Sequence, residues 1–291
     1  MTVLDANGQV RLALPKGRMK DGVFSLLADS GIRVKMSDRG YRPQVNLPDC
    51  QVKILKPQSI VEMLHIGSRD IGFAGADWVQ EKRADLVELV DTKLDPVQVV
   101  AAAPENLLVD GKLPSQRLVI ASEYETLTKD WIERTGLNAT FVRSYGATEV
   151  FPPEDADCIV DNTATGSTLR ANNLTILEVV ATSSTRLYAS PRAMQDPAKK
   201  TFIERFAMLV QSVLEARGRV MVEVNVDKSS LEGVIKALPC MREPTVSPLR
   251  GDAGYAVKSA VPRDQLPLII PEIKNAGGTD IVVTALSQIV P

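Results

Sequence analysis

The chain has a single histidine, His65, in 291 residues. Ser-His-Asp and Cys-His centres need a histidine beside the nucleophile, and zinc sites draw on several histidines or cysteines. His65 closes an amphipathic helical stretch at residues 60–67, where a histidine reads as a cap or a surface residue. The three cysteines, Cys50, Cys158 and Cys240, are odd in number and far apart. They match neither a disulfide framework nor a zinc site, and read as reduced thiols in packing roles. No apolar run reaches the roughly 18 residues of a membrane helix. The formal charge of −2 supplies no basic field for nucleic acid. Residues 1–8 lack the basic head and apolar core of a secretory leader. The expectation is a cytoplasmic protein with neither nucleic acid nor membrane as a partner. Its chemistry is left to carboxylates, Lys and Arg, and backbone donors, with a carboxylate-bound Mg2+ as the metal such groups suit.

Against those absences one stretch stands out. Residues 157–169 read Asp-Cys-Ile-Val-Asp-Asn-Thr-Ala-Thr-Gly-Ser-Thr-Leu. An apolar run ends on Asp161, a loop of Thr, Ser and Gly follows, and Leu169 and Arg170 open a helix. Free backbone N–H groups at such a junction, with hydroxyls from Thr165, Ser167 and Thr168, suit a phosphate. Gly166 lets the backbone come close. Asp161 sits at the strand's C-terminal edge, where a carboxylate suits a pair of sugar hydroxyls. The stretch is neither a Walker loop nor the three-glycine dinucleotide fingerprint.

The rest of the chain supplies partners. Strand 10–14 breaks at Pro15-Lys16-Gly17-Arg18, which sets two cations at a strand-to-helix junction, a fork and a point charge for an anion. Strand 52–55 leads into a helix begun by Pro57. Residues 70–75 read as a short strand ending in small residues, followed by Ala76 and Asp77, and Gly75 suggests close approach of a ligand. Residues 86–90 and 97–103 read as two further strands. The alternation of strands and helices implies a parallel, doubly wound sheet. The rhythm restarts at residue 117, passes a helix over 124–135 closed by Gly136, and brings Glu149 within reach of the same cleft. Residues 174–181 and 186–189 read as two more strands. Two similar α/β lobes result, with a ligand cleft expected between them. A long helical pattern over 199–216 marks a boundary. The remainder reads β-α-β-β-α-β, a ferredoxin-like order, regulatory or oligomeric in character.

Laid out in this order, the residues resemble the long form of the ATP phosphoribosyltransferase family. Leu12 to Arg18 resembles the family's opening segment, residues 70–77 its Asp-hydrophobic-Gly…Gly-x-Asp segment, and residues 144–149 its Gly-x-x-Glu approach to the sugar. Residues 157–169 resemble its phosphoribosyl pyrophosphate loop, and residues 244–249 and 261–264 its regulatory domain. Departures are Asn162-Thr163 after the aspartate, Ala74-Gly75-Ala76, Pro239-Cys240-Met241 and Glu243. The resemblance implies a two-lobed catalytic part like that of periplasmic binding proteins and an ACT-like, ferredoxin-like C-terminal domain. The expected divisions are residues 1–95 with 185–217, 96–184, and 218–291. It implies transfer of phosphoribose from phosphoribosyl pyrophosphate to N1 of ATP with Mg2+, inhibition by histidine, and a homohexamer able to exchange with a dimer. The residues it assigns are Asp161, Thr163, Ala164, Thr165, Gly166, Ser167 and Thr168 for phosphoribosyl pyrophosphate. Lys16, Gly17, Arg18, Gly75 and Asp77 fall to ATP. Asp161, Glu149, Lys16 and Arg18 carry catalysis, with Glu149 or Asp161 near the metal. Asn225, Met241 and Thr245 fall to histidine. Two rival classes share the features read so far: a two-lobed binding protein without catalysis, and a phosphoribosyltransferase acting on another base.

Overall fold

A computed structural model describes residues 8–36, 40–241 and 243–290. The sequence reading of residues 1–7 therefore lies outside the described residues. The chain forms two compact units, Met1–Ala28 with Ile32–Ala207 and Asp29–Gly31 with Met208–Pro291.

In chain order the first unit holds β1 (Val10–Pro15), α1 (Met19–Asp29), β2 (Val34–Lys35), β3 (Gln44–Val45), β4 (Cys50–Leu55), α2 (Pro57–His65), β5 (Ile71–Gly75), α3 (Ala76–Glu81), β6 (Val87–Pro104), β7 (Leu118–Ser122), α4 (Glu125–Thr135), β8 (Ala139–Arg143), β9 (Cys158–Thr163), α5 (Ser167–Ala171), β10 (Leu174–Ala189) and α6 (Pro191–Gln195). Helix α7 (Pro197–Arg217) runs on into the second unit. Local chemistry explains several boundaries. Pro57 opens α2, where its missing N–H costs nothing, and Gly136 ends α4 in the left-handed conformation at φ 69°. His65 is the last residue of α2, and its Nδ1 accepts a hydrogen bond from the Asp85 backbone N–H.

One eight-stranded sheet runs through the unit in the order β4-β1-β5-β10-β6-β9-β7-β8. Its outer thirds are parallel, β4-β1-β5 on one side and β9-β7-β8 on the other. Its middle is not. β10 is antiparallel to β5 and β6, and β6 is antiparallel to β9. The sheet is therefore mixed, and the expectation of a purely parallel sheet is corrected. The cause is that residues 86–90 and 97–103 are one strand, β6, and residues 174–181 and 186–189 are one strand, β10. The polar runs between them read as breaks, but each run pairs with the other across register shifts, with Lys93 and Asp95 at positive φ.

The consequence is geometric. Gly75, at the C-terminal end of β5, pairs with Thr185, and Thr163, at the C-terminal end of β9, pairs with Gln98. Thr185 in turn pairs with Leu94. Both parallel lobes thus present their C-terminal strand ends at the midpoint of the two crossing strands, the edge where α/β sheets take ligands.

Below the first lobe lies an ionic anchor. Asp70 accepts hydrogen bonds from the Arg11 backbone N–H at 2.8 Å, from Arg11 Nε at 2.8 Å and from Arg11 Nη2 at 2.7 Å, while Lys199 Nζ stands at 3.3 Å. Burial alone would raise this carboxyl, but the Arg11 hydrogen bonds and the charges of Arg11 and Lys199 outweigh it and hold it below its ordinary value.

The second unit adds β11 (Arg219–Val226), α8 (Leu231–Ala237), β12 (Thr245–Pro248), β13 (Tyr255–Pro262), α9 (Leu266–Asn275) and β14 (Thr279–Ala285). Strand β11 alternates strictly: Val220, Val222, Val224 and Val226 are buried and their neighbours are not, the period of a sheet covered on one face. Those valines pack with Val234 of α8 and Ile269 and Ile273 of α9. The sheet order β12-β13-β11-β14, all antiparallel, is the ferredoxin-like arrangement.

Replacing Asp70 with Asn removes the buried charge that Arg11 and Lys199 share, and breaking a buried ion pair from one side costs about 3–5 kcal/mol. The expected measurement is a lower urea midpoint at pH 7. The native carboxyl sits below its unfolded value, so its contribution is present at neutral pH and is lost as pH falls through about 4 and below. The Asn variant therefore shows a shallower acid dependence in that window.

Candidate active site

The site is built where the two sets of strand ends meet. Strand β9 delivers Asp161, Asn162 and Thr163, and the chain then turns through Ala164 to Gly166 into α5. The turn is fastened internally. Gly166 N donates to Thr163 Oγ1 at 2.8 Å, and the Thr165 and Ser167 hydroxyls lie 3.0 Å apart. Gly166 sits at φ +71°, and a Cβ there would stand 2.9 Å from Arg170 Nη1. No other residue type fits that position without strain.

A polar cleft of about 410 Å3 opens over this loop. The structure places Arg18, Glu149, Asp161, Thr163, Ala164, Thr165, Ser167 and Thr168 on its walls. Glu149 comes from a 3-10 turn, Thr148–Val150, entered through Ala147 at positive φ. Glu123 also lines the cleft. Sequence reasoning missed it, although its place just past the end of β7 is the signal that marks Asp161 on β9. The Asp161 carboxyl is pushed up to about 6: burial is the largest cause, the Asn162 N–H opposes it, and the charges of Glu149 and Glu123 add to it.

A second cavity of about 260 Å3 adjoins the first and is lined by Lys16, Gly75, Asp77, Trp78 and Ser183 among others. Arg18 and Asn162 belong to both cavities. Gly17, at φ +77°, lines neither and shapes the turn between Lys16 and Arg18.

Asp77 turns out to be held by protein groups. It is 5% exposed. Its Oδ1 accepts from Ser183 Oγ at 2.6 Å and its Oδ2 from Tyr124 Oη at 2.6 Å, while its backbone N–H donates to Ser183 Oγ. Asn162 Nδ2 donates to Tyr124 Oη at 3.1 Å. Burial first, then the Asp77 carboxylate, pushes the Tyr124 phenol far above its ordinary value, so it stays a donor. The Tyr124 ring stacks on Trp78 with centroids 4.7 Å apart. One hydrogen-bonded chain thus runs from Ser183 through Asp77 and Tyr124 to Asn162, tying β10 and α3 to the end of β9 at the floor of the cleft.

In the second unit the register aligns Thr245 with Lys258 and Asn225 with Ala256, while Lys258 ion-pairs with Glu223. Asn225 and Thr245 therefore share the sheet face away from α8 and α9, and Met241 is exposed in the segment before β12. Asn225 Nδ2 also donates to Asp280 at 3.2 Å.

Fold and cleft together define a two-lobed α/β protein of the enzyme type, with a Thr/Ser/Gly turn at the cleft and an appended ferredoxin-like domain. Comparison supplies the particular family. Residues 56–212 match the family profile described as HisG, ATP phosphoribosyltransferase, and residues 216–288 match that of the HisG C-terminal domain. The ATP phosphoribosyltransferase of Chlorobium luteolum is 35% identical over 98% of this chain and 99% of its own length. That of Pelotomaculum thermopropionicum is 34% identical over 97% and 100%. A solved ATP phosphoribosyl transferase (HisG:HisZ) complex from Thermotoga maritima contains a chain that superposes at a TM-score of 0.64 with 26% identity, covering 71% of this chain and 99% of that one. The chain belongs to the ATP phosphoribosyltransferase family, in its long form.

Replacing Tyr124 with Phe keeps the stack on Trp78 but strands Asp77 Oδ2 and leaves Asn162 Nδ2 only its 3.4 Å contact with Asp161 Oδ1. The expected cost is about 1–3 kcal/mol of stability, read as a lower urea midpoint. Because Asn162 lines both cavities, the variant is also expected to turn over more slowly at low substrate concentration, measured as a lower kcat/KM.

Proposed function

We propose that the paired cavities join N1 of the adenine of ATP to C1 of phosphoribosyl pyrophosphate, releasing pyrophosphate, the first step of histidine biosynthesis. The observation that carries this reading is the meeting of the Thr163–Thr168 loop and Asp161 in one cleft, with Arg18 and Asn162 shared by the neighbouring cavity. The hydroxyls of Thr165, Ser167 and Thr168, with the backbone donors around Gly166, take the 5′-phosphate. Asp161 and Glu149 accept from the ribose hydroxyls. The smaller cavity, with Lys16 on its wall and Gly75 allowing close approach, takes ATP. Asp77 shapes that cavity through its bonds to Ser183 and Tyr124. Arg18 reaches the pyrophosphate from between the two.

Bond breaking at C1 leaves a cation-like sugar and a departing pyrophosphate. The adenine N1 is neutral and already nucleophilic, so the step needs no strong base. What it needs is two polyanions held in line and a neutralised leaving group. Lys16 and Arg18 supply that charge, and the carboxylates of Asp161 and Glu149 face the developing positive charge on the sugar.

Among the described residues no three His, Cys, Asp or Glu side chains are grouped to hold a metal by themselves. Mg2+ fits the cleft differently. It keeps waters and binds through one or two carboxylates plus substrate phosphates, and Asp161 and Glu149 are the candidates. When bound it neutralises pyrophosphate charge.

The second unit is read as the regulatory domain, with histidine taken by Asn225, Met241 and Thr245. Val282 and Val283 of β14 are 53% and 40% exposed, and we read β14 as part of an assembly surface, the assembly being a hexamer in exchange with a dimer. No helix among the described residues is long and apolar enough to cross a membrane, and we place the enzyme in the cytoplasm with its biosynthetic relatives.

Two outcomes test these assignments. Asp161→Asn is expected to lower kcat/KM for phosphoribosyl pyrophosphate about 10–100-fold, the worth of about 1.5–3 kcal/mol for a charged hydrogen bond. The native carboxyl must be ionised to accept, so the wild-type kcat/KM falls as pH drops below about 6. The Asn variant lacks that limb, which separates Asp161 from the titration of the substrate phosphates. Asn225→Ala and Thr245→Ala are each expected to raise the histidine concentration for half-inhibition about tenfold or more, with uninhibited turnover unchanged. Unaltered inhibition in both would remove histidine from this face.

A further inference from the structure

A separate cavity of about 420 Å3 lies where β3, of the small β2-β3 pair, meets β4, the edge strand of the eight-stranded sheet, and is lined by Arg42, Gln44, Cys50, Gln51, Lys53 and Arg69 among others. Three of these are cations, and among the described residues none that lines the cavity is a carboxylate. Arg69 is only 8% exposed, and its Nη1 is buried with no hydrogen-bond partner. The nearest acid in sequence, Asp70, is already committed to Arg11 and Lys199. Cys50 supplies no negative charge, because burial first and the Asp70 charge second push its thiol up to about 12. The cations press on one another: the Arg69 charge first, then burial, then the Arg42 charge, pull the Lys53 ammonium below its ordinary value.

A buried guanidinium nitrogen without an acceptor is costly, and such groups in folded proteins are normally paired. The missing partner must bring negative charge, accept from several directions and be small. A planar guanidinium fork beside a lysine point charge is the donor set that suits a tetrahedral oxyanion. Gln44 and Gln51 on the same wall add neutral amides.

We propose that the Arg42–Lys53–Arg69 cavity is a second anion site, distinct from the transfer cleft, that binds a phosphate-class oxyanion, free or as an ester. Arg69 sets the floor, and Arg42 and Lys53 close over the ligand from the rim.

The test uses the full chain. Crystals soaked in sodium tungstate are expected to show an anomalous peak within hydrogen-bond distance of Arg69 Nη1. Competition with inorganic phosphate and with ribose 5-phosphate then tells the free anion from the ester. In solution, titration with inorganic phosphate at low salt is expected to show a site in the wild type that Lys53→Gln and Arg42→Gln each weaken at least tenfold. Both residues lie at the rim, so the fold tolerates the change, and ATP-dependent transfer stays within about twofold of wild type. A tungstate peak in the transfer cleft alone overturns the proposal. So does phosphate binding that neither rim substitution alters, the result expected if a second copy of the chain covers the cavity.

Discussion

The pairing of β6 with β10 is the constraint on which the site depends. These two strands, Val87–Pro104 and Leu174–Ala189, are the only continuous backbone from one parallel lobe to the other within the described sheet. Their register decides where β5 and β9 end. Gly75 opposite Thr185 and Thr163 opposite Gln98 bring two sets of strand C-termini to one line. A shift by one residue would turn side chains to the other face and separate the loops that must share a substrate. The Ser183–Asp77–Tyr124–Asn162 chain fastens that line at the floor of the cleft, with every carboxylate oxygen of Asp77 occupied.

The electrostatics follow from the same placement. The strand ends bring Glu123, Glu149 and Asp161 together in the larger cleft, and the charges of Glu149 and Glu123 add to burial in raising Asp161. The β1 turn brings Lys16 to the adjoining cavity and Arg18 to the wall that both cavities share. A substrate carrying a sugar at one end and a polyanion at the other matches that division. The single histidine is no handicap, because the nucleophile of the transfer needs no base.

Local features of the site were legible in the sequence. The Asp161–Thr168 loop and the Lys16–Arg18 turn each lie within one strand-to-helix junction, so their residue types and order carried the reading. The hydrogen-bonded chain was not legible. Ser183 and Asp77 are 106 residues apart, and Tyr124 and Asp77 are 47 apart, and no periodicity connects them. Asp77 reads as a ligand contact because it stands in a glycine-rich segment; it lines the smaller cavity, and its carboxylate also bonds Ser183 and Tyr124. The β6 and β10 strands were split in the reading because polar runs, one of them holding Pro96, look like breaks while tertiary pairing overrides them. All four residues of β12 are exposed, so no apolar alternation marks that strand in the sequence. The β-α-β-β-α-β order of the second unit was legible all the same, since the alternation of β11 is strict.

The central claim is that one cleft brings a phosphoribosyl donor and ATP together for transfer. Phosphorus NMR of the wild-type chain with phosphoribosyl pyrophosphate and Mg2+, before and after ATP is added, tests it most directly. The account predicts that pyrophosphate appears only once ATP is present, in step with a new phosphoribosyl-adenine nucleotide. Pyrophosphate released without ATP, or with another base in its place, or no release at all, would contradict it.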